Sequence, residues 1–202
     1  MKTTIGDLGA VIGAAWEGLG HWTPFNTEVK AVDTSQAATN CSNSGVIACL
    51  SQTAQGNNFF DRQGLSIKAV ALELRTVCQQ TGANSAMREI VFIDWDNQGA
   101  TPTLADLLSV SGTAEAPLSP FFYKNRERFE ILSDRLFELD TVQNTLNVHV
   151  DKFRLDTHVK YLGTTAVAAS NGEGSIFVAL VSQASAVYPT VEFYARLHYV
   201  DN

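Results

Sequence analysis

The sequence contains no long hydrophobic run and no recognisable export signal. Of its 202 residues 45% are apolar, but they never form the uninterrupted stretch of about 18 or more that a membrane helix needs. Residues 1–25 have neither a compact apolar centre nor a cleavage site after it. We therefore expect a soluble protein that is not exported and has no membrane partner.

Cysteine is scarce as well. The chain has three cysteines, an odd number, and their spacing fits no zinc module; they are Cys41, Cys49 and Cys78. Cys49 and Cys78 lie in apolar, strand-like surroundings, where a thiol behaves as a small hydrophobic side chain. We predict reduced core thiols without a redox or metal role.

Positive charge is in short supply, above all near the N-terminus. The formal net charge is −7, and residues 1–60 contain only Lys2 and Lys30 as basic residues against four acids. Proteins that hold the phosphate backbone usually do so with clustered Lys and Arg. This balance argues against a free-standing nucleic-acid-binding domain.

Motifs that would indicate an enzyme are missing. The four histidines, His21, His149, His158 and His198, are far apart and form no HxH or HExxH pair. There is no GxSxG elbow and no phosphate-binding P-loop. We therefore predict that the protein is not an enzyme.

One pair of carboxylates needs separate consideration. Asp94 and Asp96 flank Trp95, so both side chains could lie on one face of a strand end, where paired carboxylates can do acid–base chemistry or bind a hard cation. Such pairs are common at strand ends. The favoured interpretation is solvated surface charge or a subunit contact.

What the sequence does contain is a series of strand-like segments. Several of them alternate apolar and polar residues, as 72–77 does, which is typical of a sheet with one wet face. The segments span 46–50, 65–79, 87–96, 129–139, 146–161, 175–181 and 190–200. Helical patterns after residue 20 are confined to 104–108 and 120–126. We predict an all-β sandwich over residues 44–202, with a jelly-roll arrangement.

The first 43 residues have a different character. Apolar residues recur at helical spacing between residues 4 and 19, which predicts a short amphipathic helix. Its four glycines weaken it, so it needs a partner surface. Residues 21–43 are polar and irregular, and we interpret them as a connector without chemistry. Trp16 and Trp22 keep a membrane-active helix open as an alternative role for this arm.

Basic residues gather in the region 124–160, but acidic residues alternate with them. This local neutrality favours ion-paired subunit interfaces. If the protein has a nucleic-acid-facing surface, we expect it here, formed by Lys124, Arg126, Arg128, Lys152 and Arg154.

Four segments are similar to one known protein family. They are 161–180, YLGTTAVAASNGEGSIFVAL; 101–108, with Thr101-Pro102-Thr103 before three leucines; 128–134, RFEILSD; and 56–64, with Arg62 in a G-x₅-R-x-G pattern. Taken in chain order, from 56–64 to 161–180, they resemble the coat protein of satellite tobacco necrosis virus and related small jelly-roll capsids. The resemblance covers residues 56–201.

The resemblance implies an eight-stranded antiparallel jelly roll that associates with itself into an icosahedral shell of about 60 subunits. It implies a virion component assembled in the host cell, whose arm packs on the shell interior or on neighbouring copies. The family generally carries a basic, genome-facing arm, which is absent here, so packaging of a viral genome is in doubt. A jelly-roll module that binds carbohydrate or another ligand is the alternative, although the three tryptophans are too scattered for a sugar platform.

The resemblance also implies Ca²⁺ between subunits. Carried over to this sequence, the ligands are Glu28, Gln63, Ser66 and Asp201, the middle two through backbone carbonyls. Ca²⁺ takes six to eight oxygens, and water can complete the shell. An aspartate that the family uses at a second site is replaced here by Asn57. The competing interpretation is that Glu28 and Asp201 are merely exposed acids.

Overall fold

The computed structural model describes residues 28–201. They form eight strands, which follow one another as β1 Val29–Asn40, β2 Val46–Cys49, β3 Ser66–Gln79, β4 Ser85–Asp94, β5 Phe129–Leu139, β6 Leu146–Lys160, β7 Ser175–Ser182 and β8 Thr190–Asp201. The seven predicted strands are all present, each with ends within two residues of the prediction. The predicted helix over residues 4–19 lies outside the described residues.

The strands form two four-stranded sheets with the orders β1-β8-β3-β6 and β2-β7-β4-β5, and every pairing is antiparallel. Strands β4 and β5 are neighbours in one sheet, and every other connection crosses from one sheet to the other. This is the jelly-roll topology. The prediction of an all-β, eight-stranded antiparallel jelly-roll sandwich is confirmed.

The core lies where the inner faces of the two sheets meet. Strand β3 shows why: its buried residues alternate with outward-facing ones on either side of an irregularity between Ala69 and Ala71, so one face of a two-residue period is apolar. Leu72, Leu74, Ile176 and Val178 are among its fully buried members. The three cysteines are buried and free, as predicted.

A second apolar layer covers the outer face of the sheet that contains β4 and β7. The 95–128 connection folds over this face with a one-turn helix, α1 Leu104–Leu107, and 3₁₀ turns at Ala116–Leu118 and Tyr123–Asn125. It covers Ile90, Phe92 and Phe177. Every residue of β7 is consequently buried, which explains why its sequence is a continuous apolar run rather than an alternating one.

The turn before β7 is built by the small residues that dominate the family-like segment. Gly174 has a φ of +80°, and a Cβ at this position would collide with the carbonyl oxygen of His158. Only glycine accommodates both the left-handed backbone and the close approach. The prediction of a crossing loop followed by a buried strand is confirmed.

The interpretation of residues 21–43 as an irregular connector was wrong for Val29–Asn40. These residues are an edge strand paired with β8 from Val29 opposite Val200 to Asn40 opposite Thr190. Only Lys30 and Val32 are buried along β1, so the strand has almost no apolar signal, and backbone pairing with β8 holds it. Strand β1 belongs to the sandwich, and the predicted arm of residues 1–43 therefore extends too far.

Candidate functional site

The predicted calcium residues lie around the end of the sandwich where β1 begins and β8 ends. Asp201 is the last residue of β8, and its Oδ1 accepts a hydrogen bond of 3.2 Å from the backbone N–H of Gln63. Its Oδ2 lies 2.7 Å from Nζ of Lys30 on β1. Nζ also donates to the carbonyl oxygen of Asp61 at 3.0 Å. The structure thus brings Gln63 and Asp201 together, but around an ammonium group.

These residues do not fit a calcium ion within one subunit. Calcium needs several oxygens and no competing positive charge, whereas Asp201 Oδ1 already accepts from the Gln63 N–H and Oδ2 lies 2.7 Å from the Lys30 ammonium. The Gln63 carbonyl accepts from Nε2 of Gln55 at 2.6 Å. Glu28 is exposed just before β1, and Ser66 begins β3. Within residues 28–201 no group of three or more His, Cys, Asp or Glu side chains is arranged to hold a metal. Lys30, whose residue is only 6% exposed, supplies the positive charge instead.

Arg62 organises the same end of the molecule, and sequence reasoning singled it out only as part of a family-like pattern. Its guanidinium is buried, donates to the carbonyls of Gly64 and Gly163, and lies 4.0 Å from the ring centroid of Tyr161. The Tyr161 hydroxyl in turn donates to the Ser51 carbonyl at 2.6 Å. Arg62 therefore ties the turn before β3 to the loop after β6.

The predicted nucleic-acid-facing residues are not on one surface. Lys124, Arg126 and Arg128 belong to the 95–128 connection, over the outer face of the β2-β7-β4-β5 sheet. Lys152 and Arg154 are exposed on the outward side of β6, in the opposite sheet. The expected single basic region is divided between the two faces of the sandwich, because the chain crosses from one sheet to the other between β5 and β6.

Several of these basic side chains already have partners. Arg126 Nη2 lies 3.0 Å from Glu127 Oε1, and its guanidinium covers the Tyr123 ring. Lys152 Nζ is 3.8 Å from Glu73. Lys124 and Arg154 are exposed. This arrangement fits ion-paired surface charge better than a continuous phosphate-binding track.

Arg128 has a structural partner in Asp94. Its Nε and Nη2 each donate to Asp94 at 2.8 Å, and hydrogen bonding to this carboxylate raises the pKa of Arg128 above its ordinary value. Asp94 is fully buried and also accepts from the Asp96 N–H at 3.2 Å. The interpretation of Asp94 as solvated surface charge was wrong, whereas Asp96 is exposed. Two-pronged pairing with a guanidinium is strong and geometrically specific, so Asp94 fixes the start of the 95–128 connection.

The described chain also contains a shallow groove of about 410 Å³ between the start of β4 and the end of β5. Asn84, Ser85, Leu136, Phe137 and Glu138 line it. It contains no histidine, cysteine or lysine that could pair with Ser85 as a base. No helix among residues 28–201 is long and apolar enough to cross a membrane.

The structure defines a jelly-roll protein in which buried charges such as Arg62 and Asp94 hold loops in place. Comparison with known proteins specifies it further. The profile of the family described as satellite tobacco necrosis virus coat protein matches residues 26–202. The chain belongs to this family of viral coat proteins, and the resemblance stated from the sequence is confirmed.

Individual relatives agree. The chain is 32% identical over 182 residues to the coat protein of Satellite tobacco necrosis virus 2, covering 88% of this chain and 83% of the relative. It is 29% identical over 165 residues to the coat protein of Maize white line mosaic Satellite virus, covering 78% and 73%. It is also 29% identical over 124 residues to the capsid protein of Satellite tobacco necrosis virus 1, covering 61% and 62%.

Proposed function

We propose that this chain is a structural subunit that associates with copies of itself to form a closed icosahedral shell of about 60 subunits, as a component of a satellite virion. No step of chemical turnover belongs to this role. The observation that carries the proposal is the match of a coat protein family to the whole sandwich, from residue 26 to residue 202.

The described surface supports self-association. Large apolar side chains are exposed at both loop ends of the sandwich, including Phe59 and Phe60 at one end and Val142 and Val187 at the other. Phe59 is 52% and Val142 is 83% exposed. Contiguous exposed apolar patches commonly mark contact surfaces, and the Phe59 and Phe60 rings pack edge to face with their centroids 5.3 Å apart. In a symmetric shell each contact is repeated, so modest contacts per subunit add up to a stable container.

Electron microscopy and sedimentation of the purified full-length chain test the proposal. About 60 copies of a 21.9 kDa chain would sediment as a particle of roughly 1.3 MDa. Phe59→Glu should keep the subunit folded but reduce assembly, because it replaces an exposed apolar ring by a charged side chain at the proposed contact surface. Gln79→Glu, at an exposed position on the outward face of β3, is the matched control. A wild-type chain that stays monomeric at every salt and calcium concentration would contradict shell formation and favour a ligand-binding module.

We infer further that these particles carry little nucleic acid. The chain has a net charge of −7, and the predicted basic residues are divided between two faces, so few cations are available to replace phosphate counterions. The absorbance ratio at 260 and 280 nm of nuclease-treated particles measures the cargo. A ratio typical of nucleoprotein would contradict this inference without affecting the proposal of shell assembly.

A further inference from the structure

A cluster of polar side chains lies inside the sandwich, away from the features described above. It contains Glu89 of β4, Arg135 of β5, Asp151 and His149 of β6, and Thr76 of β3. Strands β5 and β6 are edge strands of opposite sheets, so the cluster joins the two sheets along one open side of the sandwich.

The hydrogen bonding of this cluster is incomplete. Arg135 Nη2 donates to Asp151 Oδ1 at 2.6 Å, but its Nη1 is 3.8 Å from Glu89 Oε1, beyond hydrogen-bond range. The Thr76 hydroxyl lies beside Glu89 without a well-aligned hydrogen bond. Among the described residues, the buried atoms left without a partner here are both carboxylate oxygens of Glu89, Asp151 Oδ2, Thr76 Oγ1 and His149 Nε2.

The cluster has one positive charge too few to neutralise both carboxylates. Glu89 is 0% exposed. If Glu89 and Asp151 were both ionised, one guanidinium would have to neutralise two carboxylates, and it already pairs closely with Asp151. A buried carboxylate with no hydrogen bond is very costly, and a group in this position takes up a proton instead. A metal is not the alternative, since residues 28–201 contain no ligand set for one.

We propose that Glu89 binds a proton at neutral pH and, as a neutral carboxylic acid, closes the β5–β6 side of the sandwich. Its hydroxyl can donate to the neighbouring Thr76 Oγ1, which has no partner of its own, and this would satisfy atoms on two strands at once. Loss of the proton leaves two carboxylates around the single Arg135 guanidinium and loosens this side. The subunit thus contains a proton-dependent latch, and this inference does not depend on shell assembly.

The groups around Glu89 fix the direction of the pH effect. Burial raises the pKa of Glu89, and Asp151 adds to the rise, while Thr76 and Arg135 oppose it. Because the folded state then holds a proton that the unfolded state releases, stability falls as pH rises from about 4.3 to the pKa of Glu89 in the folded protein. Burial lowers the pKa of His149, with Arg135 acting in the same direction, so His149 has the opposite effect, losing stability as pH falls below about 6.5. Cys78, which also faces Glu89, has a pKa raised by burial and stays a thiol.

Infrared difference spectroscopy of the full-length chain tests the proposal directly. We expect the C=O stretch of a protonated carboxylic acid at pH 7 in the wild type, its loss in Glu89→Gln, and its retention in the control Glu73→Gln on the outward face of β3. In Asp151→Asn the band should disappear, because Arg135 is released to pair with Glu89. A wild-type spectrum without the band would overturn the proposal even if a variant failed to fold.

Denaturant unfolding of the dissociated subunit provides the second readout. The quantity to follow is the equilibrium constant of unfolding of Glu89→Gln divided by that of the wild type. Between about pH 4.3 and the pKa of Glu89 in the folded protein, only the wild type loses stability as its bound proton is released on unfolding, so this ratio should fall about tenfold per pH unit. A ratio that does not change with pH would show that Glu89 titrates normally, and the latch would be refuted.

Discussion

Individual buried charges in this protein differ in the partners that hold them. Asp94 and Arg88 each form a two-pronged pair with an oppositely charged side chain, Arg128 and Asp134 respectively. Arg62 instead relies on two backbone carbonyls and an aromatic ring. Removing a member of a charged pair leaves a buried charge alone, whereas removing Arg62 leaves two carbonyls without donors.

For Arg62 we predict that substitution by Met lowers the free energy of unfolding by about 2–4 kcal/mol, because each orphaned buried carbonyl costs about 1–3 kcal/mol and Met recovers part of the packing. Lys should also destabilise, since it keeps the charge but cannot reach two carbonyls with a planar fork. Urea unfolding of the dissociated subunit measures both. The control Arg154→Met, at an exposed position, should stay within about 0.5 kcal/mol of wild type; equal effects at the two positions would contradict the assigned role of Arg62.

At the scale of elements, β1 depends on few side-chain contacts. Its buried members are Lys30 and Val32, and backbone pairing with β8 continues along the strand. On the outward face, Asp33 accepts from Arg196 Nε and Nη2 of β8 at 2.7 Å each. Lys30 supplies the buried side-chain attachment, since it reaches both Asp201 on β8 and the Asp61 carbonyl. An edge strand attached in this way can detach without opening the core.

We predict that Lys30→Met destabilises the subunit by about 1–3 kcal/mol, because the Asp201 carboxylate loses its cation while remaining largely buried. Hydrogen exchange should accelerate in residues 29–36 more than in β3. Adding Asp201→Asn should recover part of the loss, since the unpaired charge is removed, and a double-mutant cycle gives the coupling. If the two substitutions simply add, the ion pair does not hold β1.

For the whole particle, the same contact bears on calcium. The family resemblance implies an ion shared by Glu28, Gln63, Ser66 and Asp201 across a subunit boundary, but Lys30 already neutralises Asp201 within the subunit. A cation and an ammonium cannot both occupy the space next to one carboxylate oxygen without repulsion. The proposed shell is thus expected to need no divalent cation at this position.

We accordingly predict that a chelator changes neither the melting temperature nor the diameter of wild-type particles. In Lys30→Met particles Asp201 is free for an oxygen-seeking cation, and added calcium should raise their melting temperature through preferential binding to the folded state. Differential scanning calorimetry and light scattering measure the two effects. The opposite outcome is that wild-type particles swell when calcium is chelated and that Asp201→Asn particles are swollen to the same extent without a chelator. That outcome would establish the intersubunit calcium site.

Local sequence determined the parts of this protein that depend on short-range periodicity. Alternation along β3 and β6, the continuous apolar run of β7 and the turn glycine Gly174 each reflect how a residue meets its immediate surroundings, and the strands they predict are found. The family-like segments, which are also local, identified the coat protein family. The acidic character of the chain is likewise a property of composition alone.

Tertiary structure decided what depends on partners distant along the chain. Strand β1 was missed because its stability comes from β8, at the other end of the sequence, rather than from an apolar face. The sequence predicts a surface position for Asp94, but in the fold Asp94 is buried and paired with Arg128. The basic residues are close in the sequence, but the crossing between β5 and β6 places them on different faces. The sequence likewise does not indicate that Lys30 lies beside Asp201 or that Glu89 is buried without a hydrogen-bond partner, because both depend on contacts between distant segments. The sequence determines which side chains can carry a charge. The free-energy cost of burying that charge, and the role of the side chain, depend on which partners the fold brings within hydrogen-bond distance and on how much water the fold excludes from the site.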